Sequence, residues 1–277
     1  AYYVDKTRFI REAVLQNSKV ALFTRPRRFG KTLTMTMLHS FFDIARDSRH
    51  VFDGLQITNY PEICEEWMNQ YPTIFLTLKS AEGNTFGTAY SMLLGIISDV
   101  CGKHLYLRES KSVDPGDLKV FNRLYRSQLL APEDEEFRFM NEEDRERVLR
   151  AELTDSLRLL TKMLFDHWKR PVIILIDEYD VPLAKSDVNG YYPQMIEVMR
   201  ALLGNTLKSN EYLKKAWLTG CLRVSKESIF TGLNNPTFSG VRDLTFSEFI
   251  GFTQPEVDEL LRVTNMTHRA EDIKRWY

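Results

Sequence analysis

Cysteine is scarce in this 277-residue chain: Cys64, Cys101 and Cys221 are the only three, and they are far apart. No Cys-x-x-Cys or Cys/His ligand spacing occurs, which excludes a disulfide scaffold and a zinc module. The three are expected as small core residues in a reduced, cytoplasmic compartment. No apolar run approaches the roughly 20 residues of a membrane span, and the opening residues do not read as a secretory leader. Net charge is also nearly absent, at −1, so nothing draws the whole chain toward nucleic acid or membrane. Zinc-finger patterns, RNA-binding aromatic motifs and basic tails are missing. So is the Asn-Lys-x-Asp tetrapeptide that reads guanine, which leaves GTP specificity unsupported. There is no internal repeat. The chain starts at Ala1-Tyr2-Tyr3 without methionine and stops at Trp276-Tyr277, which reads as a fragment of something longer.

What is present is 43% apolar content, enough for one large domain or two small ones. Residues 7–15 read as a helix with Phe9, Ile10, Ala13 and Val14 on one buried face, broken by Asn17-Ser18. Residues 20–24 form a short apolar strand, and a helix is expected from Lys31 to about Arg46. A second strand covers 73–78, followed by a helix over about 86–104. Asp114-Pro115-Gly116 marks a break, with a helix over 118–130 beyond it. Residues 132–143 are acidic and poorly patterned, as a solvated surface excursion would be. A strong helix spans 145–168. Residues 172–176 carry no polar side chain, as expected of a parallel strand covered on both faces. Further helices are read over 193–207 and 255–263, with strands over 216–219 and 243–246. Strands alternating with helices predict an α/β fold with a parallel central sheet flanked by helices.

Two stretches carry chemistry. Arg25-Pro-Arg-Arg-Phe-Gly-Lys-Thr32 lies between an apolar strand and a helix, the context a phosphate loop requires. Backbone amides at such a loop and helix start can cradle triphosphate. Gly30 lets the main chain come close, Lys31 reaches the β- and γ-phosphates, and Thr32 offers its hydroxyl to Mg²⁺. The usual first glycine is missing; Arg25 stands there, and Pro26 fixes φ and removes a donor. Arg25, Arg27 and Arg28 can compensate, because guanidinium grips phosphate oxygens in pairs. The nucleotide-contacting stretch therefore comprises Arg25, Pro26, Arg27, Arg28, Phe29, Gly30, Lys31, Thr32 and the adjoining Leu33. The second stretch, Val172-Ile-Ile-Leu-Ile-Asp-Glu178, puts two carboxylates at the carboxyl end of a strand, where ligands of open α/β sheets gather. Asp177 is the candidate to hold Mg²⁺ through water. Glu178 is the candidate to polarise the water that attacks the γ-phosphate. Asp180 and Glu197 are acidic too, and nothing singles them out.

Together with Tyr3-Val-Asp-Lys-Thr7, Ile176-Asp-Glu-Tyr-Asp180, Leu218-Thr-Gly220, Arg223 and Ser228-Ile-Phe-Thr-Gly-Leu-Asn-Asn235, these motifs resemble the predicted AAA-ATPase-like family of bacterial proteins across nearly the whole chain. The resemblance implies an AAA+-like P-loop NTPase fold with ATP and Mg²⁺ as ligands, and it makes the arginine-rich loop without a first glycine normal. It divides the chain into an ATPase domain over 1–250, with a helical insertion over about 105–145, and the start of a C-terminal helical lid over 251–277. It places Tyr3 and Asp5 near the base. Thr219 becomes a sensor for the attacking water, or else a strand-end threonine bonded to its own backbone. Arg223 becomes a reader of the γ-phosphate or an arginine finger, with Arg200, Arg242 and Lys226 as weaker candidates. Many members continue into a nuclease-like domain, which this chain would lack, and a homo-oligomer is compatible with the family.

Two functions remain open on the sequence. One is Mg²⁺-dependent ATP hydrolysis that drives a conformational change. The other is a nucleotide-gated binding module with negligible turnover, controlling an attached nuclease-like domain. A nucleic-acid enzyme using the arginines on DNA phosphates is disfavoured by the near-neutral charge.

Overall fold

The computed structural model describes residues 2–125, 140–221, 229–230, 236–240, 246 and 248–276. In chain order its main elements are α1 (Arg8–Leu15), β1 (Val20–Thr24), α2 (Lys31–Phe42), α3 (Arg49–Phe52), α4 (Pro61–Trp67), β2 (Thr73–Thr77), α5 (Phe86–Lys103), α6 (Pro115–Tyr125), α7 (Glu142–Trp168) and β3 (Val172–Asp177). These are followed by α8 (Val181–Val188), α9 (Tyr192–Leu207), β4 (Leu213–Gly220), β5 (Thr237–Ser239), α10 (Gln254–Val263) and α11 (Ala270–Trp276). The five strands form one sheet in the order β2-β3-β4-β1-β5, parallel throughout. Every strand therefore ends at the same edge, and β4 separates β1 from β3.

Strands β1 to β4 each feed two cores. Val172, Ile174 and Ile176 of β3 join Leu22, Leu76 and Leu218 in a layer covered by α5, α6, α7 and α9. Ile173 and Leu175 join Ala21, Phe23 and Trp217 beneath α1, α2 and α4. Side chains alternate across a strand, so a strand packed on both faces needs no polar residue. Phe42 of α2 stacks on Trp217 of β4, with centroids 5.3 Å apart and planes 5° from parallel. Among the described residues no helix is long and apolar enough to cross a membrane.

Three of the boundaries that differ from the sequence expectation have a clear local reason. α2 stops at Phe42 because Asp43 turns extended and bridges to Tyr71, while Asn69 Nδ2 bonds the carbonyls of Ser40 and Asp43 that the helix leaves open. α6 begins three residues early. The Asp114 carboxylate accepts the amides of Gly116 (2.7 Å) and Asp117 (3.4 Å), so Asp-Pro starts a helix where a break was expected. α7 gains one turn at its start, capped by Asn141 through the Asp144 amide at 2.8 Å. Among the described residues the sheet's last strand is Thr237–Ser239, and most of the stretch expected as a strand, 243–246, lies outside them. Phe246 packs among Phe9 and Phe23. Of the cysteines only Cys101 is buried. Cys64 and Cys221 are half-buried and all three are free thiols, so the expectation of three core residues is corrected.

Candidate nucleotide site

The parallel sheet delivers three chain segments to one edge: the loop after β1, the tip of β3 and the end of β4. The loop continues the sheet for one residue, Arg25 donating its amide to the Gly220 carbonyl at 3.1 Å. It then leaves the protein, and Pro26, Arg27, Arg28, Phe29 and Gly30 are exposed. Arg28 (φ 68°) and Gly30 (φ 78°) both lie in the left-handed region. A Cβ at Gly30 would meet nothing within 4 Å, so here glycine serves the backbone angle rather than space. Among the described residues the amides of Arg27, Arg28, Phe29 and Gly30 bond no backbone acceptor, and the first-turn amides of α2 adjoin them. Unpaired amides at a helix start, with the helix dipole behind them, favour an anion.

Lys31 opens α2 and is buried. Its ammonium donates to the carbonyls of Arg25 (3.0 Å) and Pro26 (2.9 Å) and lies 3.4 Å from Cys221 Sγ, so it closes the ring of the loop. The Thr32 hydroxyl donates to Asp177 Oδ2 at 2.6 Å. The Thr219 hydroxyl donates to Asp177 Oδ1. Asp177 is 1% exposed, and these two charge-assisted bonds compensate its burial. The loop and the acidic tip of β3 thus share one slot. Thr219 spends its proton on Asp177 rather than on its own backbone.

Glu178 follows in the left-handed region (φ 55°), unusual for a residue with a Cβ and costly by about 1 kcal/mol. Its carboxylate is half-buried and has no partner among the described residues. The turn is laced to β4: Tyr179 donates its amide to the Thr219 carbonyl at 3.0 Å, and the Asp180 carboxylate accepts the Cys221 amide at 3.0 Å. Gly220 makes this packing feasible, because a Cβ there would lie 2.5 Å from Asp180 Oδ1 and 2.6 Å from the Tyr179 ring.

The arginines divide. The Arg25 guanidinium turns into the sheet, donating to the carbonyls of Thr24 and Ser239 at 3.0 Å each, and to Ser239 Oγ at 3.4 Å. At 2% exposure it fastens β1 to β5, so the expectation that it grips phosphate is corrected. Arg27 and Arg28 are exposed with no partner among the described residues. Arg223, Arg242 and Lys226 lie outside the described residues, and Arg200 is exposed on α9.

On the other flank of the loop lies a cavity of 720 Å³. Its walls come from the N-terminal segment (Tyr2, Tyr3, Val4), the loop and first turns of α2 (Arg28, Phe29, Gly30, Leu33, Thr34, Met37) and the C-terminal helices (Val257, Leu260, Leu261, Ile273). Volume and lining suit a mostly apolar small-molecule body. Its charged lining residues are Lys6, Arg28 and Lys274, with no carboxylate among them. Tyr3 faces it; burial, then the Asp5 charge, push its phenol up, and its hydroxyl lies 3.8 Å from Met37 Sδ. Asp5 is elsewhere, accepting from the Thr7 amide and hydroxyl and the Gln56 amide, so it shapes a turn instead of reaching a base. Gly251 (φ 108°) closes the loop side of the cavity, its Cβ position being 3.1 Å from the Phe29 ring.

Sequence reasoning gave Asp180 and Gly220 no role of their own, although both stand in the motifs quoted for the resemblance, and it read Cys221 only as a core residue. Over residues 1–230 the sequence matches the family described as predicted AAA-ATPase. The chain belongs to that family. Among relatives of this predicted AAA-ATPase is an "uncharacterized protein in vnfD 5'region" of Azotobacter chroococcum mcd 1. It is 25% identical over 280 residues, which covers all of this chain and 44% of that protein. The chain therefore spans less than half the length of this relative. No solved structure matches it.

For Mg²⁺, the donors fit: a threonine hydroxyl and a carboxylate, both hard oxygens, 2.6 Å apart. Among the described residues no three His, Cys, Asp or Glu side chains converge as a metal cage.

Proposed function

We propose that the chain binds ATP with Mg²⁺ and hydrolyses it to ADP and phosphate, using the cycle to drive a conformational switch. The observation that carries this reading is the Thr32–Asp177 hydrogen bond of 2.6 Å, which couples the phosphate loop to the carboxylate at the tip of β3. The nucleoside lies in the cavity beside Tyr3, Phe29 and Leu33, and the phosphates run across the amides of residues 27–33. Lys31 exchanges its two loop carbonyls for β- and γ-phosphate oxygens, and Arg27 and Arg28 add positive charge at the rim. Thr32 and Asp177 would hold Mg²⁺, which would supply positive charge to the triphosphate. Glu178 accepts a proton from water as the water oxygen attacks the γ-phosphorus. The bond from that phosphorus to the bridging oxygen breaks, and ADP leaves. Thr219 keeps Asp177 in place, and Arg223 is the candidate for the γ-phosphate. Residues 1–250 act as the ATPase domain, with a helical insertion over about 105–145. Residues 251–277 begin a helical lid. In the cell the chain works in the cytoplasm within a longer protein, and a nuclease-like domain is the candidate for the remainder.

Calorimetric titration of ATP with and without Mg²⁺ tests site, ligand and metal together. Lys31→Ala should abolish binding, whereas Glu178→Gln should keep ATP bound and stop phosphate release. A Glu178→Gln variant that turns over at the wild-type rate would remove Glu178 as the base. The committed Thr219 hydroxyl favours a second reading, a nucleotide switch with little turnover. ATP binding without phosphate release, with and without partner protein or DNA, would select it.

A further inference from the structure

The cavity's two outer walls belong to opposite ends of the chain, and the Lys6 side chain links them. Residues 5–7 are pinned to the body of the fold: Asp5 accepts the Thr7 amide (2.8 Å), the Thr7 hydroxyl (2.7 Å) and the Gln56 amide (2.7 Å), and Thr7 Oγ1 accepts the Ile57 amide (3.0 Å). Lys6 reaches outward from this anchored turn. Its ammonium lies 2.5 Å and 2.6 Å from the two Glu256 oxygens and donates to the Glu248 carbonyl at 2.5 Å. The Glu256 carboxylate also accepts the Thr253 amide at 2.7 Å, completing the capping box that starts α10. One carboxylate thus fixes both the first turn of α10 and its distance from the N-terminal segment. Val257, Leu260 and Leu261, carried by that helix, face Tyr2, Tyr3 and Val4 across the cavity. The pair is largely shielded, with side chains 14% and 24% exposed, unlike the neighbouring Arg8–Glu248 contact at 41% and 52%. Shielded, doubly bonded pairs keep their strength where exposed ones are screened.

We propose that Lys6 and Glu256 form a clasp that sets the width of the cavity and thereby positions the nucleoside half of the ligand, while the loop alone grips the phosphates. Opening the clasp frees α10 from the N-terminal segment and leaves residues 25–32 unchanged. The proposal rests on the nucleotide reading for its ligand and on the ion pair for its mechanics, and the two are tested separately. Titrating Mg²⁺-ADP and Mg²⁺-tripolyphosphate into the wild type, Lys6→Met, Lys6→Arg, Glu256→Gln and the double variant reads the first. ADP affinity should fall about tenfold in Lys6→Met and in Glu256→Gln, and the double variant should be no worse than the weaker single. Lys6→Arg should recover most of the loss, and tripolyphosphate affinity should stay within about twofold throughout. Unchanged ADP affinity in folded Lys6→Met, equal losses for both ligands, or losses that multiply in the double variant would each overturn the clasp. Amide hydrogen exchange over residues 254–263 without ligand reads the second. Faster exchange in Lys6→Met supports the clasp, and unchanged exchange refutes it. A wild type that binds no ADP would refute the nucleotide reading while exchange still decided the clasp.

Discussion

Replacing Gly220 with alanine is the sharpest probe of how the β3 turn is held. The new Cβ would stand 2.5 Å from Asp180 Oδ1 and 2.6 and 2.9 Å from two Tyr179 ring carbons, distances that real contacts do not sustain. Neither neighbour can swing into solvent, since Tyr179 is 0% and Asp180 3% exposed. Overpacking of this kind costs about 1–3 kcal/mol. Pushing Asp180 from the Cys221 amide forfeits a charged hydrogen bond worth about 1.5–3 kcal/mol. The sum of about 2.5–6 kcal/mol is a large part of the 5–15 kcal/mol of a typical domain, and it should lower Tm by on the order of 10 °C. Gly204→Ala is the control: it sits in the last turn of α9 with open space around its Cβ, and should be neutral or gain about 0.5–1 kcal/mol. Scanning calorimetry on both variants, alongside ATP titration, measures the difference. Gly220→Ala melting within about 2 °C of the wild type, or level with Gly204→Ala, would refute the packing argument.

Further outcomes follow from the same geometry. Thr219→Val keeps the shape but leaves buried Asp177 one donor short, so urea unfolding should show a loss of about 1–3 kcal/mol; unchanged stability would mean the hydroxyl does not hold the carboxylate. Glu178→Gly should relieve the left-handed backbone and gain about 0.5–1 kcal/mol while ending phosphate release; a destabilised variant would contradict the strain. His39 is lowered to about 4 by burial, then by Arg46 and Lys103, and His104 to about 4 by burial, then by Lys103 and His39. Both folded values lie below the unfolded 6.5, so this stability is complete above pH 6.5 and is lost as pH falls toward 4, up to roughly 3 kcal/mol for each. The Asp43 carboxyl, pushed up by burial and 3.6 Å from His39, offsets part of that loss. Thermal melts from pH 7 to 4 should fall across this window and should flatten in His104→Gln.

The elements most legible in the sequence were those whose pattern is local. The four apolar positions of α1 are its buried face, and the unbroken run of β3 is a strand shared by two cores. The meeting of loop and carboxylate was also legible, because a parallel sheet sends every strand end to one edge. What escaped depends on distant partners. The end of α2 is set by Asn69, and β5 is a three-residue strand with no pattern of its own. Arg25 looked like a phosphate ligand because residue type reveals charge and not direction. The cavity joins residues 2–4 to residues 249–274, a pairing that no local window contains.

The inward turn of Arg25 bears on why this loop opens with an arginine. Strand β5 is short, among the described residues pairs only with β1, and sits at the rim of the sheet. Its last residue is moored by a guanidinium that a glycine could not supply. A mutation restoring the more common small residue would therefore be felt first as a loose outer strand, and only afterwards, if at all, in the grip on phosphate.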